Sequence, residues 1–267
     1  MNNSEKIKEK WARGDLCIGT NAAFTDAAVS ELFGQAGYDF VWIDMEHSAM
    51  SLADALNHVR AARGSGAAPW IRVPSNDPVV MKPILELHPA AVIVPRIGSA
   101  QDAAAAIASC RYPPRGVRGF GPSRGIRFGG ISMQEYLEKV DSELMLILQI
   151  EHIAAVNEIE TILDMPGIDS VVTGPSDLSA SMGLLGQPGH PEVVAAIEKV
   201  FRVAREKKIP AGHSIGYSPD AVRRWLKHHL SWLSFDGDWI TLFKHAKSAL
   251  EDVRRMASSR DSGAGAG

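Results

Sequence analysis

Residues 40–73 read FVWIDMEHSAMSLADALNHVRAARGSGAAPWIRV. The apolar run Phe40–Asp44 ends in an acid. A polar joint follows, and Ser51 stands where it can cap a helix beginning at Leu52, with apolar residues recurring every three or four positions. A second apolar run, Trp70–Val73, comes next. Strand, helix and strand in that order imply a crossover connection and therefore a parallel pair.

The same unit recurs on either side. Apolar runs at Leu16–Thr20, Ala91–Pro95, Met145–Glu151, Ser170–Thr173, Pro210–Ser214 and Trp232–Phe235 alternate with helix-like segments. Those segments begin near Thr25, Val79, Ala100, Ala154, Pro191, Pro219 and Ile240. Ser218 before Pro219 gives a cap followed by proline at the first helical position. Eight strand–helix units in roughly 240 residues predict a (β/α)8 TIM barrel, an α/β fold whose usual size is ~250 residues. A doubly wound open sheet would carry a phosphate-binding glycine turn after its first strand. Gly19-Thr20-Asn21-Ala22 contains no G-x-G-x-x-G. No linker divides the chain, so residues 1–257 are expected to form one domain. Residues 258–267, small and polar, are expected to be a disordered tail. The connection 111–142 opens with the Pro/Gly/Arg-rich stretch RYPPRGVRGFGPSRGIRFGG.

Composition narrows the function. The chain has 28 Lys and Arg against 31 Asp and Glu, a net charge of −3, which gives no electrostatic basis for binding nucleic acid or an anionic membrane. No apolar run reaches the ~18 residues of a membrane span. The first residues, MNNSEKIKEKW, carry no hydrophobic signal segment, and Cys17 and Cys110 form no disulfide framework. A cytoplasmic protein is expected.

In a barrel the chemistry lies where the strands end. Strand two ends in Asp44-Met45-Glu46-His47, strand three holds Arg72, strand five ends in Gln149-Ile150-Glu151-His152, and strand six runs into Gly174-Pro175-Ser176-Asp177. Glu151 and Asp177 lie on sequentially adjacent units. As two carboxylates without a nearby cysteine they suit a hard divalent ion, Mg²⁺ or Mn²⁺. The structural alternative is a helix cap or ion pair at each acid. Asp44 and His47 are a candidate dyad, the carboxylate orienting an imidazole that acts as acid or base. Arg72 in an apolar strand needs an anion, either a substrate carboxylate or a structural partner in Asp44 or Glu46. His213 near the end of strand seven is a further candidate for the site. His58, His88, His228, His229 and His245 read as surface residues. Arg111, Arg115, Arg118, Arg124 and Arg127 form a basic run that would guide an anion, contact another subunit or simply be solvated.

On these residues the sequence resembles the HpcH/HpaI family of class II pyruvate aldolases. The resemblance rests on AGYDFVWIDMEHS (36–48), IRVPSNDP (71–78), VIVPRIGSAQDA (92–103), RYPPRGVRGFGP (111–122), LILQIE (146–151), GIDSVVTGPSDLSASMG (167–183) and GHPEV (189–193). It implies the same barrel and a metal-dependent, reversible cleavage of a 4-hydroxy-2-oxo acid to pyruvate and an aldehyde. It also implies Glu151 and Asp177 as metal ligands, with Co²⁺ or Zn²⁺ as remaining options. Arg72 is implied as the contact to the 2-oxo acid, and His47 with Asp44 as the acid–base pair. Gln149 is implied beside the metal, and the backbone at Ser176 and Asp177 as the seat of the substrate carboxylate. A hexamer, a trimer of dimers, is implied as well. The aromatic and apolar residues Trp225, Leu226, Trp232, Leu233, Trp239, Leu242 and Phe243 suggest an oligomer interface through the last helix. The chain departs from the family at His88-Pro89-Ala90 and in GHSIGYSPD (212–220), where substrate choice can differ. Rival readings are a citrate-lyase β-like lyase of CoA thioesters, which would need the basic run for the CoA phosphates, and an oxaloacetate decarboxylase. A silent, 2-oxo-acid-binding barrel is a third. A Schiff-base mechanism is disfavoured because no lysine lies inside a strand.

Overall fold

The structure, a computed structural model, describes residues 2–263, with side chains to position 258. Eight parallel strands close into a barrel in chain order. They are β1 (Cys17–Ala22), β2 (Phe40–Asp44), β3 (Ala68–Arg72), β4 (Ala91–Ile97), β5 (Met145–Ile150), β6 (Ser170–Thr173), β7 (Ala211–Ile215) and β8 (Trp232–Gly237). Around them run α1 (Ser4–Arg13), α2 (Ala28–Gln35), α3 (Leu52–Gly64), α4 (Pro78–Leu85), α5 (Ala100–Cys110) and α6 (Met133–Glu143). The ring continues with α7 (Ile153–Asn157), α8 (Ile159–Leu163), α9 (Pro175–Ser181), α10 (Pro191–Glu206), α11 (Pro219–Leu226) and α12 (Asp238–Gly263). The predicted barrel is the observed fold. β2 and β6 agree with the sequence reading residue for residue, and Ser51 caps α3 in a full capping box with Asp54. Among the described residues no helix is long and apolar enough to cross a membrane.

Strand phase decides what reaches the site. Phe40, Trp42, Ala68, Trp70, Ala91, Ile93, Met145, Ile147, Val172 and Trp232 form one buried cluster inside the barrel. Their neighbours Val41, Ile43, Ile71, Val92, Leu146, Leu148 and Val171 belong to a second cluster shared with the helices. Inside, Phe40 stacks on Trp70 at 3.7 Å, and Trp232 meets Trp70 edge-on at 5.0 Å. Gly212 makes room for this packing, since a Cβ there would stand 1.9 Å from the Trp232 ring. From α1, Ile7 joins the inner cluster and Trp11 packs on it, closing the N-terminal end. Each inward row then leaves its apolar layer near the C-terminal rim. Phe40 and Trp42 lead to Asp44, Ala68 and Trp70 to Arg72, and Met145 and Ile147 to Gln149 and Glu151.

The structure adds a helix to the long connection and changes one expectation. The connection 111–142 contains α6, whose Tyr136 and Val140 are buried, so its second half is a packed helix. Helix α12 extends to Gly263, into the stretch expected to be disordered, and residues 264–267 lie outside the described residues.

Candidate active site

Arg72 is the centre of the rim. Asp44 and Arg72 stand opposite each other in the β2–β3 register. Arg72 Nε donates to Asp44 Oδ1 at 3.0 Å, and one terminal nitrogen donates to Oδ2 at 2.6 Å. The other lies 3.2 Å from Glu46 Oε2, and the guanidinium rests over the Trp42 ring at 5.3 Å. Burial pushes the Asp44 carboxyl up. The Arg72 hydrogen bonds and charge, with the backbone N–H groups of His47 and Glu46, outweigh that and leave it below the usual carboxylate range.

Glu151 and Asp177 share the neighbouring cavity. Glu151 accepts from the Arg96 backbone N–H at 2.5 Å and from Gln149 Nε2 at 2.5 Å. Burial raises its pKa, the Arg96 N–H opposes this, and the charges of Glu46 and Asp177 raise it further, for a net rise. Glu46 is also raised, by burial first and by Asp44 and Asp177, against the pull of Arg72. Three acids crowded into one cavity with too little positive charge fit a cation. The donors are all oxygen, and buried Gln149 Oε1 has no partner among the described residues. Among the described residues no three His, Cys, Asp or Glu converge as ligands. The pair Glu151 and Asp177 therefore suits a divalent ion that keeps positions for water and substrate. Gly174 is needed for this packing. A Cβ there would lie 2.6 Å from Glu151 Oε2 and 3.0 Å from Gln149 Nε2.

The rim holds two adjoining compartments. One, about 270 Å³, is lined by Trp42, Arg72, Gln149, Ser176 and Ser214, among others. The other, about 260 Å³, is lined by Glu46, Arg96, Glu151, His152 and Ser181, with Gly98. His47 and Asp177 border both. Apart from Asp44 and His213, the predicted site residues line a compartment, and Asp44 is bonded to Arg72. Arg96 was not singled out in the sequence. Its only signal was a charge closing an apolar run.

Several expectations are corrected. Asp44 does not meet the His47 imidazole. It accepts from the His47 backbone N–H at 3.2 Å, while the exposed imidazole lies 3.7 Å from Glu46 Oε2. His213 does not face the site. With Ala211 it lies on the helix side of β7, bonded to Thr173 Oγ1 at 2.7 Å and packed on Trp225 at 4.3 Å. His58 is fully buried, with Nδ1 2.7 Å from Ser30 Oγ, and His88 is half-buried against Glu143. The basic run sits at the other end of the barrel. Arg118 pairs with Glu86 at the end of α4, and Arg111 reaches Gly167 O and Asp169 before β6. Arg111 and Arg118 are buried there as structural cations.

The buried histidines carry a pH prediction. Burial holds His213 down to about 3 and also lowers His58. Below the ordinary ~6.5 the unfolded chain takes up protons that the folded chain refuses. The stability that His213 contributes is then fully present above pH ~6.5 and lost as pH falls toward 3, by roughly 1.4 kcal/mol per pH unit, and His58 acts in the same direction. Urea midpoints measured between pH 7.5 and 5 are expected to fall more steeply in the wild type than in His213→Asn. Equal slopes would exclude His213 as the cause.

The fold and its polar rim are those of a barrel with charged cavities where the strands end. A family model described as HpcH/HpaI aldolase/citrate lyase matches residues 20–237. The chain is 34% identical over 249 residues to a 5-keto-4-deoxy-D-glucarate aldolase of Klebsiella pneumoniae, spanning 93% of this chain and 96% of that protein. The crystal structure of an HpcH/HpaI aldolase from Desulfitobacterium hafniense superimposes with a TM-score of 0.86 at 27% identity, over 92% of this chain and 96% of that one. An HpcH/HpaI aldolase/citrate lyase family protein from Burkholderia cenocepacia gives 0.86 at 28%, over 93% and 99%. The chain belongs to the HpcH/HpaI aldolase/citrate lyase family, and its chemistry is that of a carbon–carbon lyase.

Proposed function

We propose that this enzyme reversibly cleaves a 4-hydroxy-2-oxo acid to pyruvate and an aldehyde. The observation that carries the reading is the convergence of Arg72 with Gln149, Glu151 and Asp177 around adjoining cavities. The Klebsiella relative is named for 5-keto-4-deoxy-D-glucarate. Numbered from its other end, that compound is a 4-hydroxy-2-oxo acid bearing a second carboxylate. Substrates of this class are the ones we assign to the present chain.

Glu151 and Asp177 would hold the divalent ion, Mg²⁺ or Mn²⁺ by the hardness of the donors. When bound, it supplies Lewis acidity toward the 2-oxo oxygen. Arg72, its fork fixed by Asp44 and Glu46, places a permanent positive charge beside the oxygen on which enolate charge develops. The N–H groups of Ser176 and Asp177 open α9, have no intrahelical partner and are available to the substrate carboxylate. Gln149 positions Glu151. His47, exposed where the two compartments meet, gives or takes the proton on the aldehyde-derived oxygen. Asp44 acts on it through the backbone while orienting Arg72. No lysine lines either compartment, which favours this reading over a Schiff base.

Pyruvate release from a panel of 4-hydroxy-2-oxo acids and oxaloacetate, followed by a lactate-dehydrogenase couple, tests the reading. Cleavage of at least one hydroxy-oxo acid is expected to exceed oxaloacetate turnover in kcat/KM. Turnover of oxaloacetate alone would favour the decarboxylase. The basic run lies at the far end of its own barrel, so the CoA-thioester alternative loses its candidate phosphate site.

Helix α12 supports a homo-oligomer. Trp239, Leu242, Phe243, Leu250, Val253 and Met256 are all exposed along it, whereas Trp225, Trp232 and Leu233 are core residues. A hexamer, a trimer of dimers, would cover this face. Light scattering is expected to give about six times the 28.8 kDa chain mass, and a monomer would refute the assignment.

A further inference from the structure

We propose that Arg96 selects the aldehyde half of the substrate by receiving a carboxylate on the chain beyond the bond that breaks. The inference rests on the aldolase reading above and adds to it the residue that recognises the second carboxylate.

Arg96 occupies an irregular place in β4. Ala91 and Ile93 face the barrel interior, and Val92 and Val94 face the helices. Ile97 also faces the helices, so one extra residue is accommodated between Val94 and Ile97, where the β4–β5 register shifts. Arg96 has φ 59°, the left-handed region that an arginine rarely adopts. Plain alternation would have carried its side chain to the helix side with Val94. The bulge instead aims its N–H at Glu151 and leaves the side chain exposed on the cavity. Backbone strain of this kind persists where the surrounding structure enforces it, and it gathers at functional sites.

Three of the other polar side chains of this compartment have protein partners. His152 Nδ1 accepts from the Ala154 N–H and caps α7. Ser181 Oγ accepts from Ile153 N–H and donates to Leu178 O. Glu46 pairs with Arg72. The Arg96 guanidinium makes no hydrogen bond or ion pair among the described residues.

Position assigns the ligand. With its carboxylate beside Arg72 and Ser176 and its 2-oxo oxygen toward the Glu151–Asp177 pair, the keto-acid end would span the junction of the two compartments, so the rest of the substrate would extend past His47 into the compartment of Arg96. With Glu151 and Asp177 given to the divalent ion, Glu46 is the acid left to repel a carboxylate arriving there. A guanidinium offsets that field, and its planar fork matches a carboxylate geometrically.

Two aldehydes of one skeleton test this in the addition direction, with pyruvate as the common partner. Tartronate semialdehyde ends in a carboxylate where glyceraldehyde ends in a hydroxymethyl group. The wild type is expected to prefer tartronate semialdehyde in kcat/KM. Arg96→Met is expected to lower that preference by about 10- to 100-fold, the range for a hydrogen bond to a charged group. Arg96→Lys is expected to retain part of it. The ratio is measured within each preparation, so partial misfolding cancels. A wild type without preference, or parallel losses on both aldehydes, overturns the proposal. Deuterium exchange into the pyruvate methyl group separates the failures. Exchange without aldehyde preference defeats the Arg96 assignment alone, whereas no exchange and no cleavage defeats the aldolase reading itself.

Discussion

Arg72→Ala is expected to lower pyruvate-forming kcat/KM by about 10³-fold or more, because removing a single fixed donor from developing oxyanion charge typically costs 10²–10³-fold. The variant would also lose the proposed contact to the substrate. Its stability is expected to drop too. Arg72 is buried between Asp44 and Glu46, and removing it leaves two buried carboxylates without their cation. Breaking a buried pair from one side costs about 3–5 kcal/mol. Arg72→Lys separates the two effects. It keeps the charge but not the two-point fork to Asp44, so denaturation midpoints should recover more than turnover does. An alanine variant with wild-type kcat/KM would remove Arg72 from the mechanism. One with full stability would show that Asp44 and Glu46 find other partners.

Removal of divalent metal is expected to reduce cleavage to background, with Mg²⁺, Mn²⁺ or Co²⁺ restoring it. Glu151→Gln and Asp177→Asn each remove one of the two anionic ligands proposed for the ion. Both are expected to raise the metal concentration giving half-maximal activity by about 10- to 100-fold or more, the range seen even for outer-shell partners. Calorimetric titration of the apo protein with Mn²⁺ reads the same loss without turnover. Gly174→Ala is expected to behave similarly though it removes no ligand, because its methyl group would press on Glu151 and Gln149. Activity that survives chelation, with a borohydride-trapped adduct, would overturn the metal assignment in favour of a lysine.

The rim residues were found from the sequence because each stands where an apolar run ends. Their partnerships were not. Asp44 and His47 are three residues apart and invite pairing, yet a parallel register sets Asp44 against Arg72, twenty-eight positions away. His213 looked like a rim residue because it ends a strand, but it is on the helix side of β7.

The eightfold recurrence of apolar run and amphipathic helix pointed to the barrel, since strand–helix–strand units pair in parallel, and the missing phosphate-binding glycine turn told against the open sheet that could hold the same units. The same recurrence placed the acids and Arg72 at strand ends. Only the tertiary structure decided which strand residues face inward, because both faces of a parallel barrel strand are buried and the apolar run shows no alternation to read. It also decided the bulge that turns Arg96 onto the cavity, a displacement of one residue set by packing against β5 and the carboxylate of Glu151.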